Sequence, residues 1–300
     1  MRQSSPHPFR FGVVAARAAT GDEWIALARR VEALGYSTLL MPDRVGRVLA
    51  PFPALGVAAA ATRELRVGTF VLASGIYNPT ILAAETATLD FLSNGRFEVG
   101  LGTGVSEDDY RRTGHEYGRP GTRIDRLADT LRVLKASFGP PANPAVQRGA
   151  ANYPRPVQQP HPPILIAGAG PRLLGLAARE ADIVAFGLGG LATEADFAEK
   201  IALVRQEAGE RFLALELSLN LLAVVAGPVA PAVRERLRWL QNVELEALVQ
   251  ANSPLVVTGD AEAMSDQLRA RRERLGVSYI TVSADQMEEF APVVARLTGR

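Results

Sequence analysis

The chain has 300 residues, 47% of them hydrophobic, a formal net charge of +1 and no cysteine. That length suits one (β/α)8 barrel, which typically takes ~250 residues as a single unit. The near-neutral charge offers no concentrated basic surface for nucleic acid, the absence of cysteine excludes disulfides and thiolate catalysis, and no apolar run reaches membrane-spanning length. No signal-peptide pattern opens the sequence, so a cytoplasmic location is expected. Of the 33 basic residues only Lys135 and Lys200 are lysines, and both fall inside helical patterns, which argues against a Schiff-base barrel enzyme.

In chain order, residues 9–15 read as a first strand and 22–34 as a helix, with Trp24, Leu27, Ala28, Val31 and Leu34 at helical spacing and Gly35 at its end. Residues 38–41 form a second strand ending in Pro42-Asp43-Arg44. A short alanine-rich helix covers 54–62, and 65–73 is a third strand, apolar on both faces as buried parallel strands are. Asn78-Pro79 opens a helix with a side-chain cap and a proline in the first turn. Leu89 and Leu92 are placed on that helix's apolar side, and Asn94-Gly95 ends it, because both residues tolerate a left-handed backbone.

Residues 97–101 are a fourth strand leading into Gly100, Gly102 and Gly104. Glycines at a strand's carboxyl end let backbone approach a ligand; a sharp turn is the other reading of the same residues. Residues 105–118 read as irregular, a helix follows around Ile124 to Leu134, and the proline-rich stretch 139–163 reads as a long loop. Strands are expected at 164–167, 183–186, 215–225 and 277–283, with helices at 171–179, 193–209, 231–250, 261–275 and 286–297. Eight strand-like runs alternating with helices point to a single-domain (β/α)8 barrel over 1–300, a doubly wound sheet being the alternative.

In a barrel the chemistry belongs at the strand ends. Gly168-Ala169-Gly170 before Pro171 joins a buried strand to a helix start, an arrangement that offers backbone N–H groups to a phosphate, or serves only as a helix-entry turn. Leu173 stands where a dinucleotide fingerprint needs its last glycine, and no acidic residue closes the next strand. His7, His115 and His161 show no metal-ligand spacing, so no metal site is expected; His115 is a weak acid–base candidate on a loop.

The segment YNPTILAAETATLDFLSNGRFEVGLGTG resembles the luciferase-like monooxygenase superfamily, with support from VGTFVLASG, from EYGRPGTRIDRLADTLRVLKASF and from ILIAGAGPRLLGLAAREADIVAFG. These segments span most of residues 9–189, and the similarity points to the branch of F420-dependent oxidoreductases. The resemblance implies a (β/α)8 barrel with insertions after strand four and before strand five, a small organic substrate and a homodimer. It also implies the deazaflavin coenzyme F420 as cofactor, with FMN as the alternative, and it leaves open a cofactor-binding protein without turnover. By the same resemblance Asp43 lies beside the deazaflavin ring. Phe70, Val71 and Leu72 occupy a bulge behind the ring, where F420-using relatives often hold a non-prolyl cis peptide. Gly102, Thr103 and Gly104 approach the cofactor's side chain, and Gly168, Ala169 and Gly170 bind its phosphate. Arg44 and Val105 stand where sugar-phosphate dehydrogenases of the branch carry His and Glu, which speaks against that activity; Arg44 is left as a weak catalytic candidate beside Asp43. Arg44, Arg47 and Arg172 are candidates to meet the anionic tail of F420.

Overall fold

The computed structural model describes residues 7–139, 154–227, 233–235, 237 and 244–300. The first half holds β1 (Arg10–Val14), α1 (Gly21–Ala33), β2 (Thr38–Met41), α2 (Pro51–Ala61), β3 (Arg66–Thr69), β4 (Leu72–Ala73), α3 (Pro79–Leu92), β5 (Phe97–Gly102), α4 (Glu107–Arg112) and α5 (Pro120–Phe138). After it come β6 (Ile164–Gly168), α6 (Pro171–Glu180), β7 (Ile183–Phe186), α7 (Glu194–Ala208), β8 (Glu216–Asn220) and β9 (Ala223–Val225). The last described elements are α8 (Leu245–Gln250), β10 (Val256–Thr258), α9 (Ala261–Leu275), β11 (Val277–Ser283) and α10 (Met287–Leu297). The main sheet runs β3-β2-β1-β11-β8-β7-β6-β5-β4 and closes because β3 also pairs with β5, which makes a (β/α)8 barrel rather than a doubly wound sheet.

By packing, the chain falls into two compact units, one within Met1–Ala15, Arg30–Leu39 and Gly168–Arg300, the other within Ala16–Arg29 and Leu40–Ala167. In the first, β11 is the central strand, with β1 on one side and β8 on the other, all parallel. Arg10 spans this ladder at its amino end: its guanidinium lies 3.6 Å over the Tyr279 ring and grips Glu216 at 2.6 Å. The expected strand 215–225 is two strands. The amide of Leu221 still donates to Thr281 in the main sheet, whereas that of Leu222 donates to Leu255, starting a separate parallel pair of β9 with β10. Most of the helix expected at 231–250 and of the loop expected at 139–163 lies outside the described residues.

The second unit is organised by β5, all six of whose residues are buried. α3 enters under an Asn78 cap that accepts from Thr80 and Ile81, and leaves through Asn94 (φ 55°) and Gly95 (φ 76°), as the sequence predicts. Leu89 is buried, but Leu92 is 66% exposed, so the two do not share the apolar side assigned to them. Arg96 then ties the turn down by donating to the carbonyls of Ser93, Leu65 and Ala59.

The third strand of the sequence is interrupted. β3 pairs Gly68 with Glu98, and β4 pairs Leu72 with Leu101, so four residues advance on one strand against three on the other. This is a one-residue bulge across Thr69–Val71, and the Phe70–Val71 peptide within it is cis. Thr69 Oγ1 replaces the lost ladder bonds by donating to Gly100 O and accepting from Gly100 N, both at 2.8 Å. A Cβ on Gly100 would lie 1.9 Å from the Thr69 carbonyl oxygen. Gly100→Ala therefore costs at least about 3 kcal/mol and lowers Tm by roughly 6 °C, because backbone must move. Gly56→Ala in α2, where nothing lies within 4 Å of the added Cβ, is neutral or stabilising by up to about 1 kcal/mol. Thermal unfolding of the two variants followed by circular dichroism checks the contrast.

Candidate active site

In the second unit the candidate residues gather around Asp43. β2 ends at Met41, whose carbonyl takes the Phe70 amide at 2.7 Å, and Pro42 turns the chain so that Asp43 follows the strand end. Asp43 Oδ2 accepts from the Ala73 amide at 3.3 Å and from the Tyr77 hydroxyl at 3.1 Å. Its Oδ1 takes no hydrogen bond among the described residues, and it is not sealed from solvent. Burial pushes the Asp43 carboxyl above the ordinary carboxylate range, opposed by its two hydrogen bonds. Nearby Asp109 pushes it up further and Arg44 pulls it down. Tyr77 is pushed up as well, first by burial and then by the Asp43 charge. Tyr77 stands between Gly75 and the Asn78-Pro79 helix start, so its place on the rim was readable, but its aim at Asp43 was not.

The glycines of the GLGTG run are held by the chain's own packing. Gly100 faces Thr69, a Cβ on Gly102 would come 2.8 Å from Val71 Cγ2, and Gly104 (φ 70°) has no room beside the Tyr110 ring at 2.7 Å. They make space for the Thr69–Val71 bulge and for Tyr110, which is a tighter constraint than ligand approach.

Residues 105–118 were expected to be irregular; they contain α4, capped by the Ser106 hydroxyl on the Asp109 amide. The spacing of Ser106 to Asp109 was the available signal for this helix start. The helix is clamped to the loop after β2. Arg44 pairs with buried Asp109 at 2.9 Å, and Arg47 pairs with Asp108 at 2.7 Å. Asp108 also takes Arg112 at 2.7 Å and Arg111, and this arginine shell holds its carboxyl well below the ordinary range, Arg112 contributing most. Arg44 and Arg47, candidates for the tail of F420, are thus committed to α4. Tyr110 completes the clamp by donating to the Thr103 carbonyl at 2.9 Å. His115 is exposed, its ring makes no hydrogen bond among the described residues, and it does not join Asp43.

In the first unit, Gly168 is required by packing, since a Cβ would lie 2.2 Å from Leu173 Cδ2, and its carbonyl accepts from Gly187 at 3.0 Å. Gly170 is different. Its φ of −71° and ψ of 144° are open to any residue, and nothing lies within 4 Å of an added Cβ. It is the N-cap of α6, no side chain caps that helix, and Pro171 follows. Gly170 therefore needs no special backbone freedom; what distinguishes it is open space in front of the helix start.

The model of the family described as luciferase-like monooxygenase matches residues 1–294. The chain belongs to that family. The chain is 34% identical over 181 residues, 58% of its length, to a phthiodiolone/phenolphthiodiolone dimycocerosates ketoreductase of Mycobacterium sp. (strain JLS). It is 30% identical over 157 residues, half of its length, to the oxygenase component of a flavin-dependent trigonelline monooxygenase of Acinetobacter baylyi. The matches span only part of the curated relatives: 46% and 44% of those two, and 65% of an uncharacterized protein of Mycobacterium tuberculosis that is 30% identical over 194 residues, 53% of this chain. A solved F420-dependent secondary alcohol dehydrogenase with a bound F420–acetone adduct superposes with a TM-score of 0.76 over 97% of this chain and 98% of its own, at 19% identity, and so shares the fold. Members of the family are oxidoreductases and monooxygenases. Among the described residues no helix is long and apolar enough to cross a membrane.

The clamp has a measurable consequence. Asp109→Ala removes the partner of Arg44 and costs about 1–3 kcal/mol. Amide hydrogen exchange across α4 accelerates at least ~10-fold, while α3 is unaffected.

Proposed function

We propose that the protein is an F420-dependent oxidoreductase that transfers hydride between the deazaflavin and a small organic substrate. The observation that carries the reading is Asp43: a carboxyl raised by burial, with one oxygen unengaged among the described residues, at the strand end where barrel enzymes keep their chemistry. The F420-dependent dehydrogenase sharing the fold and the ketoreductase relative support it. An FMN-dependent monooxygenase is the second reading, favoured by the flavin-dependent trigonelline monooxygenase relative.

Asp43, whose Oδ1 takes no hydrogen bond among the described residues, is a group that a deazaflavin ring could engage. When bound, the coenzyme supplies a two-electron hydride carrier with carbon where FMN has its reactive nitrogen, so the protein's task is binding and orientation. In the second unit Asp43, Phe70, Val71 and Leu72 are assigned to the ring, and Gly102, Thr103 and Gly104 to the adjoining chain. Taken by itself, the first unit offers at Gly168, Ala169 and Gly170 an uncapped start of α6, where the helix end favours a phosphate. Gly170→Ala tests this without disturbing the fold, because its Cβ enters open space. Its Tm is unchanged, and its F420 affinity, read by fluorescence titration, falls about 10-fold or more. Equal affinity in the variant removes the phosphate assignment. F420 is expected to bind the wild-type protein more tightly than FMN; tighter FMN binding, with substrate-dependent oxygen consumption, replaces the hydride reading by the monooxygenase one.

We also propose a homodimer. α2 carries no charged residue, and with α3 it exposes Val57, Ile81, Phe91 and Leu92 at 43%, 59%, 47% and 66%. Glu85 of α3 is raised by burial even without a partner chain. Apolar surface of this extent on two neighbouring helices is characteristic of an interface. Light scattering at micromolar concentration gives a dimer for the wild-type chain and a monomer for Phe91→Glu; a wild-type monomer overturns the proposal.

A further inference from the structure

Hydride transfer to a polar double bond leaves an electron pair on the second atom, and that atom needs a proton. The second unit holds a group prepared for this. Of the two Asp43 oxygens, Oδ2 faces the Ala73 amide, which can only donate, and the Tyr77 hydroxyl. A proton on Oδ2 would oppose the amide, so the neutral acid carries its proton on Oδ1, the oxygen that takes no hydrogen bond among the described residues. The charged groups facing Asp43 do not neutralise it. Arg44, its neighbour in sequence, is paired with Asp109 of α4 at 2.9 Å, and Asp109 itself disfavours a second negative charge nearby. Glu85 acts on Tyr77 in the same sense, keeping its hydroxyl protonated as a donor.

We propose that Asp43 is the proton donor of the reaction, with Tyr77 as its positioning residue directing the proton onto Oδ1, a polar double bond such as a carbonyl being the group reduced. This rests on the hydride reading above. In the reducing direction, the bound coenzyme would supply the hydride for a C–H bond at the carbonyl carbon. The C=O π pair moves to oxygen, which takes the Oδ1 proton of Asp43. The products would be the alcohol, the oxidised carrier and the Asp43 carboxylate, and the proton that the carrier releases on oxidation would return to Asp43 through solvent. Arg44 is not placed for this part, since its guanidinium is engaged by Asp109 of α4 at 2.9 Å.

The test uses the full chain and its Asp43→Asn and Tyr77→Phe variants. The protonated-carboxyl band of Asp43 is followed against pH by infrared difference spectroscopy, using Asp43→Asn as the blank. In the wild-type protein its midpoint lies above the ordinary aspartate value of about 3.9. Tyr77→Phe removes a bond that favours the carboxylate, so the midpoint rises by about one pH unit. With reduced F420 and a panel of acetone, cyclohexanone, acetophenone and hexanal, Asp43→Asn lowers kcat by at least ~100-fold. Its kcat is read at saturating F420, with the affinity of the variant measured separately by fluorescence, so that a loss of coenzyme binding is told apart from a loss of the proton donor. The basic limb of the Tyr77→Phe rate profile moves up together with the infrared midpoint. A midpoint indifferent to Tyr77→Phe, a kcat retained in Asp43→Asn, or no turnover of any panel member by F420-loaded wild-type protein overturns the proposal. Failure of the hydride reading shows separately, as absence of F420 binding to the wild-type chain; the infrared titration then still decides whether Tyr77 directs Asp43.

Discussion

The second unit depends on how a bulged strand is accommodated beside β5. Thr69 folds its hydroxyl into the ladder, holding both backbone groups of Gly100 at 2.8 Å, and Val71 occupies the space that a side chain at 102 would fill. Extra residues in a strand ordinarily weaken it, since one set of ladder bonds is lost. Here the loss is made good by a side chain, and the neighbouring strand gives up its own side chains to make room. Beyond the bulge β4 pairs again with β5, and the Ala73 amide meets Asp43.

That arrangement explains which parts of the architecture were legible. Helix boundaries followed from local chemistry that acts within a few residues, such as Asn78 ahead of Pro79 and the left-handed Asn94-Gly95. Strands followed from apolar runs. Where one run held two strands, as at residues 65–73 and 215–225, periodicity carried no mark of the break, because the residues on both sides of it are buried alike. The partition at Leu221–Leu222 is set by which neighbour accepts each amide, Thr281 or Leu255, and both lie more than 30 residues away.

The site was legible in outline and not in its workings. Position at a strand end pointed to Asp43, and the glycine runs pointed to close packing, but whether a glycine makes room for a ligand or for its own chain depends on distant residues. Gly102 yields to Val71 and Gly168 to Leu173, while Gly170 yields to nothing. Arginine was the least readable residue type. Arg44 and Arg47 stand in a loop that looks free in sequence, and their partners lie about sixty residues on, in a helix that was itself missed.

The clamp joining Arg44 to Asp109 links two properties that are usually separate. α4 lies on the insertion after β5, the kind of segment that varies when a barrel enzyme acquires a new substrate. Yet α4 also supplies the carboxylate that neutralises the one cation adjoining Asp43 in sequence. An α4 sequence transplanted without an acid at position 109 would leave the Arg44 charge facing Asp43 and draw its carboxyl toward ionisation. If Asp43 is the proposed acid, a redesign of the α4 surface must carry residue 109 along with it.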